Sequence, residues 1–488
     1  MYIGIDFGTS YSQAATVYHG KPFLLLPPNV YGIPSVFYYD RDIGKLVGDE
    51  ALSWGQNFSM QNMVENIKME LLDKSSYSLD STTFYSKDII SSIIRSTISI
   101  ATKIAEQNCI DSKIDGAVLS IPAKFSMKER AMIREAIFSC LPENTPLHII
   151  REPVAAALSY RHLLKPEGQY TLVFDLGGGT CDVAIVQKDP VHPELYHVRA
   201  CDMLRIGGRD WDHALSVHIA KVIENESGKQ IQKDQNYMSR IGMIAKKAKH
   251  DLSLSGCSKA VATIEIDGKR YCTVLTQQLF DEVTLRLLTE AIECIKKTMD
   301  TFPCEIDEII CVGGSSNMPQ IKRKLTDVFA PIPTHLFTPE HAVVNGAALY
   351  SALYASELRL NEILHFSYGI NTVGDDEDEI ISNILIKGTP ITKSTPAECS
   401  KYYCPAYDNM TELHIIVYES ECLEERYNSK LVDCLQIGEV VVKLPKNASA
   451  NTIIKCNFIL SLDGILKVTA ETIDKRELTV KLFKLTEI

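Results

Sequence analysis

The sequence predicts an α/β unit of two similar lobes over 1–355, a connection over 356–366 and an all-β module over 367–488. Three observations carry that prediction. A short apolar strand that ends in Asp, turns through Gly and a hydroxyl residue and enters a second apolar strand occurs twice, which marks an internal repeat. Stretches of helical period lie between and after the two copies, so strands and helices interleave. In the C-terminal part the helical period gives way to short alternating runs separated by Pro, Asn, Asp and Gly.

The first copy reads Ile3-Gly4-Ile5-Asp6-Phe7-Gly8-Thr9-Ser10 and continues in Gln13-Ala14-Ala15-Thr16-Val17. A helix is expected over Ser126–Ser139. The second copy reads Thr171-Leu172-Val173-Phe174-Asp175-Leu176-Gly177-Gly178-Gly179-Thr180 and continues in Asp182-Val183-Ala184-Ile185-Val186. Gly207-Gly208 ends a further strand, and Gln277–Met299 is a long amphipathic helix. A third glycine turn, Gly313-Gly314-Ser315, follows the apolar run Ile309-Ile310. An acidic stretch, Asp375 to Glu379, lies near the start of the β-module. Its strands are read from Ile384-Leu385-Ile386, Leu413 to Val417, Val440 to Leu444 and Ile465 to Thr469, with Asp463-Gly464 as a strong hairpin signal.

At 488 residues, 45% hydrophobic and 23% charged, the composition is that of a globular chain of several packed units. With 62 acidic and 50 basic side chains the net charge is −12, so neither nucleic acid nor an anionic membrane is an expected partner. No basic region precedes an apolar stretch at Met1-Tyr2-Ile3-Gly4-Ile5-Asp6, and no apolar run approaches about 18 residues, so a cytoplasmic location is expected. Fourteen cysteines are scattered singly from Cys109 to Cys456 without a CxxC pair, which speaks for reduced thiols rather than a zinc module or a disulfide scaffold.

The glycine turns carry the chemistry. A Gly-Gly-Gly-Thr turn presents backbone N–H groups to an anion with no Cβ in the way, and the hydroxyl adds a donor. Asp6 and Asp175 end the preceding strands, where a carboxylate can hold a hydrated magnesium ion against phosphate oxygens. One such turn reads most simply as a tight hairpin; two facing each other would clamp a nucleoside triphosphate. No Gly-Lys pair is followed by Ser or Thr, so the Walker loop is absent.

Asp6-Phe7-Gly8-Thr9-Ser10-Tyr11-Ser12, Ile121-Pro122-Ala123, Glu152-Pro153-Val154-Ala155-Ala156-Ala157, Asp175 to Thr180, Gly207-Gly208, Val312-Gly313-Gly314-Ser315 and Asn345-Gly346-Ala347-Ala348 occur in order. From Met1 to about Tyr354 they resemble the 70 kDa heat-shock chaperones, within the actin and sugar-kinase ATPase superfamily. The β-module resembles that family's peptide-binding sandwich through Ile384 to Ile391 and Asp463 to Ala470. The resemblance implies an actin-like ATPase domain followed by a β-sandwich, with ATP or ADP, Mg2+ and K+ as the species to be bound. It implies a weak ATPase in which Lys68, Glu152, Asp6, Asp175 and Thr180 act on the attacking water, the γ-phosphate and, through water, the magnesium. The nucleotide contacts it implies are Gly8, Thr9, Ser10, Tyr11, Gly177, Gly178, Gly179, Gly207, Gly208, Lys249, Ser253, Gly313, Gly314 and Ser315. Pro122 and Arg130 match a switch pair that senses nucleotide state, and Ile381, Ala406 and Leu413 match positions around a peptide's apolar side chain. Taken alone, Lys68 and Arg130 read as surface charges, Pro122 as a strand end and the three β-module residues as core; Asp182 reads equally as a further acid or as a surface charge near the turn.

Four departures from the family pattern stand out. His250 and Asn317 replace the two arginines that flank adenine, and Lys246 replaces a glutamate at the ribose, which removes planar stacking and predicts weaker or less adenine-selective binding. The leucine run of the linker is replaced by Leu358 to Phe366. His148 and Arg151 stand where the family meets its J-domain co-chaperone, so that partner and a nucleotide-exchange factor are weaker expectations than unfolded or extended polypeptide. No match to the family's helical lid follows the β-module, which predicts fast peptide release. The expected function is an ATP-dependent chaperone-like protein. The alternative is a nucleotide-binding scaffold with little turnover, and a sugar kinase would leave the β-module idle.

Overall fold

The computed structural model describes all residues except 72, 126, 144, 165–167, 189–195, 255, 356–361, 365, 374–378, 388, 392–395, 429, 431, 445–447, 462–464, 473–477 and 485–488. The chain divides into two compact units. One is Met1–Lys124 with Ser139–Thr145 and Ile150–Ser351; the other is Phe125–Phe138 with Pro146–Ile149 and Ala352–Ile488.

The principal elements of the first unit are β1 (Tyr2–Phe7), β2 (Tyr11–Tyr18), β3 (Lys21–Leu24), α1 (Ser86–Gln107), β4 (Gly116–Ile121), α2 (Glu152–Leu164), β5 (Tyr170–Leu176), β6 (Cys181–Lys188), β7 (Tyr196–Leu204), α3 (Gly208–Ser227), α4 (Gln235–Ser253), α5 (Gln277–Thr301), β8 (Glu308–Val312), α6 (Pro319–Phe329), β9 (Thr334–Leu336) and α7 (Ala342–Ala355). One sheet carries β4, β1, β2 and β3 side by side, and a second carries β7, β6, β5, β8 and β9. The sequence echo is an echo of topology. In each sheet the first strand of a hairpin pairs antiparallel with its successor and parallel with a later strand on its other edge.

Both faces of the second sheet are covered, which is why its strands read as continuous apolar runs. Leu172, Phe174, Leu176, Val183 and Ile185 point into a core shared with Trp211 of α3, Ile241 of α4 and Leu288 of α5. The alternate residues Val173, Ala184 and Val186 enter a different core with Ala155 and Ala156 of α2 and Ala347 of α7. The expected long helix is α5. It starts where the Thr276 hydroxyl accepts from Leu279 N at 3.1 Å, and it buries the stripe Phe280, Leu287, Leu288, Ala291 and Ile295.

In the second unit the strands are β10 (Ser367–Val373), β11 (Glu379–Leu385), β12 (Ala397–Tyr403), β13 (Glu412–Ser420), β14 (Arg426–Asn428), β15 (Cys434–Lys443), β16 (Ile454–Leu460), β17 (Ile465–Thr472) and β18 (Leu478–Lys484). They form two antiparallel sheets, β14-β11-β10-β13-β15 and β12-β16-β17-β18. Tyr368, Ile415, Val417, Val440 and Val442 of the first share one apolar core with Ile454, Phe458, Leu466, Val468 and Ala470 of the second. The helix expected over Ser126–Ser139 spans Met127–Phe138 and groups with this unit, where Arg130 donates to Phe125 O at 2.9 Å and pairs with Glu421. The hairpin pair Asp463-Gly464, most of the connection over 356–366 and most of the acidic stretch lie outside the described residues. Among the described residues no helix is long and apolar enough to cross a membrane.

Candidate functional site

The two hairpin turns of the first unit close in the same way: Gly8 N donates to Tyr11 O at 3.1 Å and Gly177 N to Thr180 O at 2.9 Å. Both open onto one cavity of about 740 Å³. They approach so closely that a Cβ on Gly178 would collide with Ser10 Oγ. The third turn joins them. Gly313 has φ of 80°, and a Cβ there would run into the Asp175 carboxylate and the Leu176 carbonyl. Of the candidate residues, Asp6, Gly8, Thr9, Ser10, Tyr11, Lys68, Glu152, Asp175, Gly177, Gly178, Thr180, Gly208, Lys249, Ser253, Gly313, Gly314 and Ser315 line this cavity. Gly207 stands behind the lining with its open face against the Gly178–Gly179 backbone, and Gly179 turns its own toward Arg209 and the Thr9 methyl group.

A buried charge cluster forms the floor. Lys68, on the 3-10 turn Ile67–Met69, donates to Glu152 Oε1 at 2.8 Å, and Glu152 opens α2, where the helix N-terminus favours a carboxylate. Ser120 donates to Asp6 Oδ1 at 2.9 Å. The pairing of β5 with β6 sets Asp182 directly opposite Asp175, whereas Asp6 faces the neutral Gln13. Burial lifts the pKa of Asp6 and Glu152 against the opposing pull of Lys68, and lifts Asp175 well above the usual carboxylate range with Glu152, Asp182 and Asp6 adding to it. Asp182, only 4% exposed, is pushed up to about 7 by burial and by Glu152, and its Oδ1 accepts no hydrogen bond among the described residues. Burial disfavours the Lys68 ammonium, but Glu152 and Asp6 outweigh it and raise its pKa, so Lys68 stays charged.

Three buried carboxylates and the half-buried Asp6 surround one ammonium, and when ionised they leave excess negative charge, which suits a divalent cation. Among the described residues no three His, Cys, Asp or Glu side chains converge as a direct metal cage. The arrangement fits an ion held through water and through phosphate oxygens. Asp6 and Asp175 both line the cavity and are the carboxylates that could receive such an ion's water ligands.

At the other end of the cavity Lys249 donates to Gly208 O at 2.7 Å and pairs with Asp212 at 2.9 Å. The Ser253 hydroxyl donates to its own helix at Lys249 O, 2.8 Å away. His250, Lys246 and Asn317 line the same end. The Asn317 amide donates to Gly314 O at 3.2 Å and to the Glu340 carboxylate, and partial burial followed by the Lys249 charge holds the His250 imidazole below its usual pKa.

The remaining candidates lie elsewhere. Pro122 is buried just after β4 in the first unit, and Arg130 belongs to the second. Ile381 is 0% exposed on β11, Leu413 packs against the core of the β-module and Ala406 is exposed. The surface-charge reading of Asp182 does not hold, because the strand register buries it beside Asp175. Sequence reasoning passed over Asp212, Glu340 and Arg209. The only signal for Arg209 was its place directly after Gly207-Gly208.

The family model described as Hsp70 protein matches residues 54–482. The match takes in Lys68, Glu152, the second and third glycine turns and both sheets of the β-module, and it begins after the first turn.

Proposed function

The chain belongs to the Hsp70 protein family, and on that premise we propose that it is an ATP-dependent chaperone-like protein: an actin-like nucleotide-binding domain over 1–355 that hydrolyses ATP slowly, and a β-sandwich over 367–488 that holds extended apolar polypeptide. The observation that supports turnover is the cluster of buried Lys68, Glu152, Asp175 and Asp182 with the half-buried Asp6 beside two opposed glycine turns. The turns supply N–H donors and hydroxyls for the phosphates of ATP or ADP. Lys68, held protonated by Glu152, stabilises charge that develops on the transferred phosphoryl group. Asp175 lines the cavity and Asp182 lies directly opposite it, so this carboxylate pair, with Asp182 raised to about 7, is the acceptor for a proton of the attacking water near neutral pH. Mg2+ would add charge compensation between phosphate oxygens, with Asp6 and Asp175 receiving its water ligands.

Extended polypeptide is the partner this reading gives the β-module, through main-chain hydrogen bonds plus an apolar pocket. A second reading, a nucleotide-binding scaffold with a fixed interaction module, draws on Ile381 and Leu413 being packed rather than open. The affinity of a labelled apolar peptide for the full chain, measured with ATP, with ADP and with the Lys68→Ala variant, separates the two. Peptide binding about tenfold weaker in ATP than in ADP, about 1.4 kcal/mol of coupling, is expected of the chaperone. Equal affinity in both nucleotides leaves the scaffold.

A further inference from the structure

Arg209 lines the same cavity as the glycine turns. It is the second residue of α3, and its chain doubles back over the second glycine turn: its backbone N donates to Gly178 O at 3.0 Å and its Nε to the same oxygen at 3.2 Å. The guanidinium is therefore held against the turn. Its Nη2 covers the face of Gly179 where a Cβ would stand, and the Thr9 methyl group, 3.1 Å from that same point, reaches it from the opposite turn. Arg209 thus sits where the two turns meet and lines the cavity.

Four acids lie near it; Glu65, which lines the cavity, forms no ion pair with it, and the other three are committed elsewhere. Asp210 accepts from Gly207 N at 2.7 Å, Asp212 pairs with Lys249 at 2.9 Å, and Glu70 pairs with Lys74 and accepts from Tyr77, both at 2.8 Å. Among the described residues Arg209 makes no ion pair, and Nε is its only side-chain nitrogen with a hydrogen bond. A planar, half-buried cation with both Nη groups uncommitted, fixed beside a ring of N–H donors, matches a phosphate. Burial lowers its pKa despite the acids nearby, so the charge has lost solvent without gaining a partner.

We propose that Arg209 binds the phosphates of the nucleotide, so that this chain grips its ligand at the phosphate end more than at the base. The inference rests on the nucleotide-binding reading of the cavity. The base end supports it: the Asn317 amide is already engaged, and His250 offers a smaller ring than a guanidinium stack.

The test is calorimetric titration of the full chain with ATP, ADP, adenosine and inorganic tripolyphosphate, for the native protein and for Arg209→Ala, Arg209→Lys and Arg209→Gln. In Arg209→Ala, ATP, ADP and tripolyphosphate are expected to bind at least tenfold more weakly while adenosine is unchanged, with part of the loss recovered in Arg209→Lys. ATP and ADP affinities within twofold of native in Arg209→Ala, or an equal loss for adenosine, overturn the proposal and leave the nucleotide site standing. A native protein that binds neither ATP nor ADP overturns the site itself. Should Arg209→Ala fail to fold, Arg209→Gln, which keeps the length and loses the charge, carries the same comparison.

Discussion

Replacing Lys68 by Ala removes the one cation from the buried carboxylate cluster. At 2.8 Å from Glu152 Oε1 its attraction is about 6 kcal/mol at an effective dielectric of about 20. Part of that is returned because the ammonium no longer has to be desolvated, and a net loss of about 3–5 kcal/mol is expected when the carboxylates are ionised. The loss must depend on pH. Asp6, Glu152, Asp175 and Asp182 all have folded pKa values above their unfolded ones, so the folded state binds more protons than the unfolded state and stability falls as pH rises through that window. Without Lys68 those values rise further and the fall steepens. Both tryptophans, Trp54 and Trp211, belong to the first unit, so urea unfolding followed by their fluorescence reports this unit by itself. The nucleotide-free variant should lose about 3–5 kcal/mol at pH 8 and less at pH 5.5, below the value of about 7 to which Asp182 is raised. Adding Glu152→Gln to Lys68→Ala should restore much of the loss at pH 8. Equal losses at both pH values would refute the reasoning, and so would a loss below about 1 kcal/mol at pH 8.

Three further outcomes follow from the same site. Asp182→Asn should stabilise the nucleotide-free protein at pH 8, by at most the roughly 4 kcal/mol that corresponds to a pKa lifted from 3.8 to about 7, and by less than half as much at pH 5, which lies between the two values; tryptophan-detected unfolding at the two pH values checks it. Gly313→Ala, at φ of 80° and facing Asp175, should cost more than about 2 kcal/mol, whereas Gly314→Ala, with open space where its Cβ would stand, should stay within about 0.5 kcal/mol by the same measurement. The pair His250→Arg and Asn317→Arg should tighten ATP by about 0.5–2 kcal/mol per site, measured by calorimetric titration; an unchanged ATP affinity removes the base-end argument.

The two strand-turn-strand copies were legible in the sequence because strand period and glycine are both local signals, and the structure pairs β1 with β2 and β5 with β6 as that pattern requires. The convergence of the site was not local. Lys68 sits on a single 3-10 turn entered through Asn66 at φ of 64°, and nothing in its own neighbourhood marks it as buried; only the family resemblance singled it out. Asp182 was visible as an acid, but its burial depends on a register that becomes definite only when β6 is paired. Arg209 reads as an ordinary charge in the first turn of a helix, and its contact with Gly178 joins residues 31 positions apart. In the β-module the alternation that identifies strands is the same for core and for pocket, so it could not tell that Ile381 would be fully buried and Ala406 exposed.

The charge balance of the site bears on whether the nucleotide is turned over or merely held. Four carboxylates lifted by burial make the empty site unfavourable at neutral pH, and a cation bound with phosphate reverses that penalty. A structural nucleotide needs only the glycine turns, Lys249 and Arg209, since these face the ligand with donors and positive charge. Asp182, with one oxygen unbonded and a pKa of about 7, adds nothing to holding an anion and repels it. Its presence makes sense for proton transfer. Stabilisation of the first unit by ATP with Mg2+ should therefore be larger at pH 8 than at pH 6 in the native protein, and Asp182→Asn should flatten that difference while abolishing most of the hydrolysis proposed for the site. If the variant instead keeps full turnover, Asp182 serves electrostatic balance alone, and the proton must leave by another of the three remaining carboxylates.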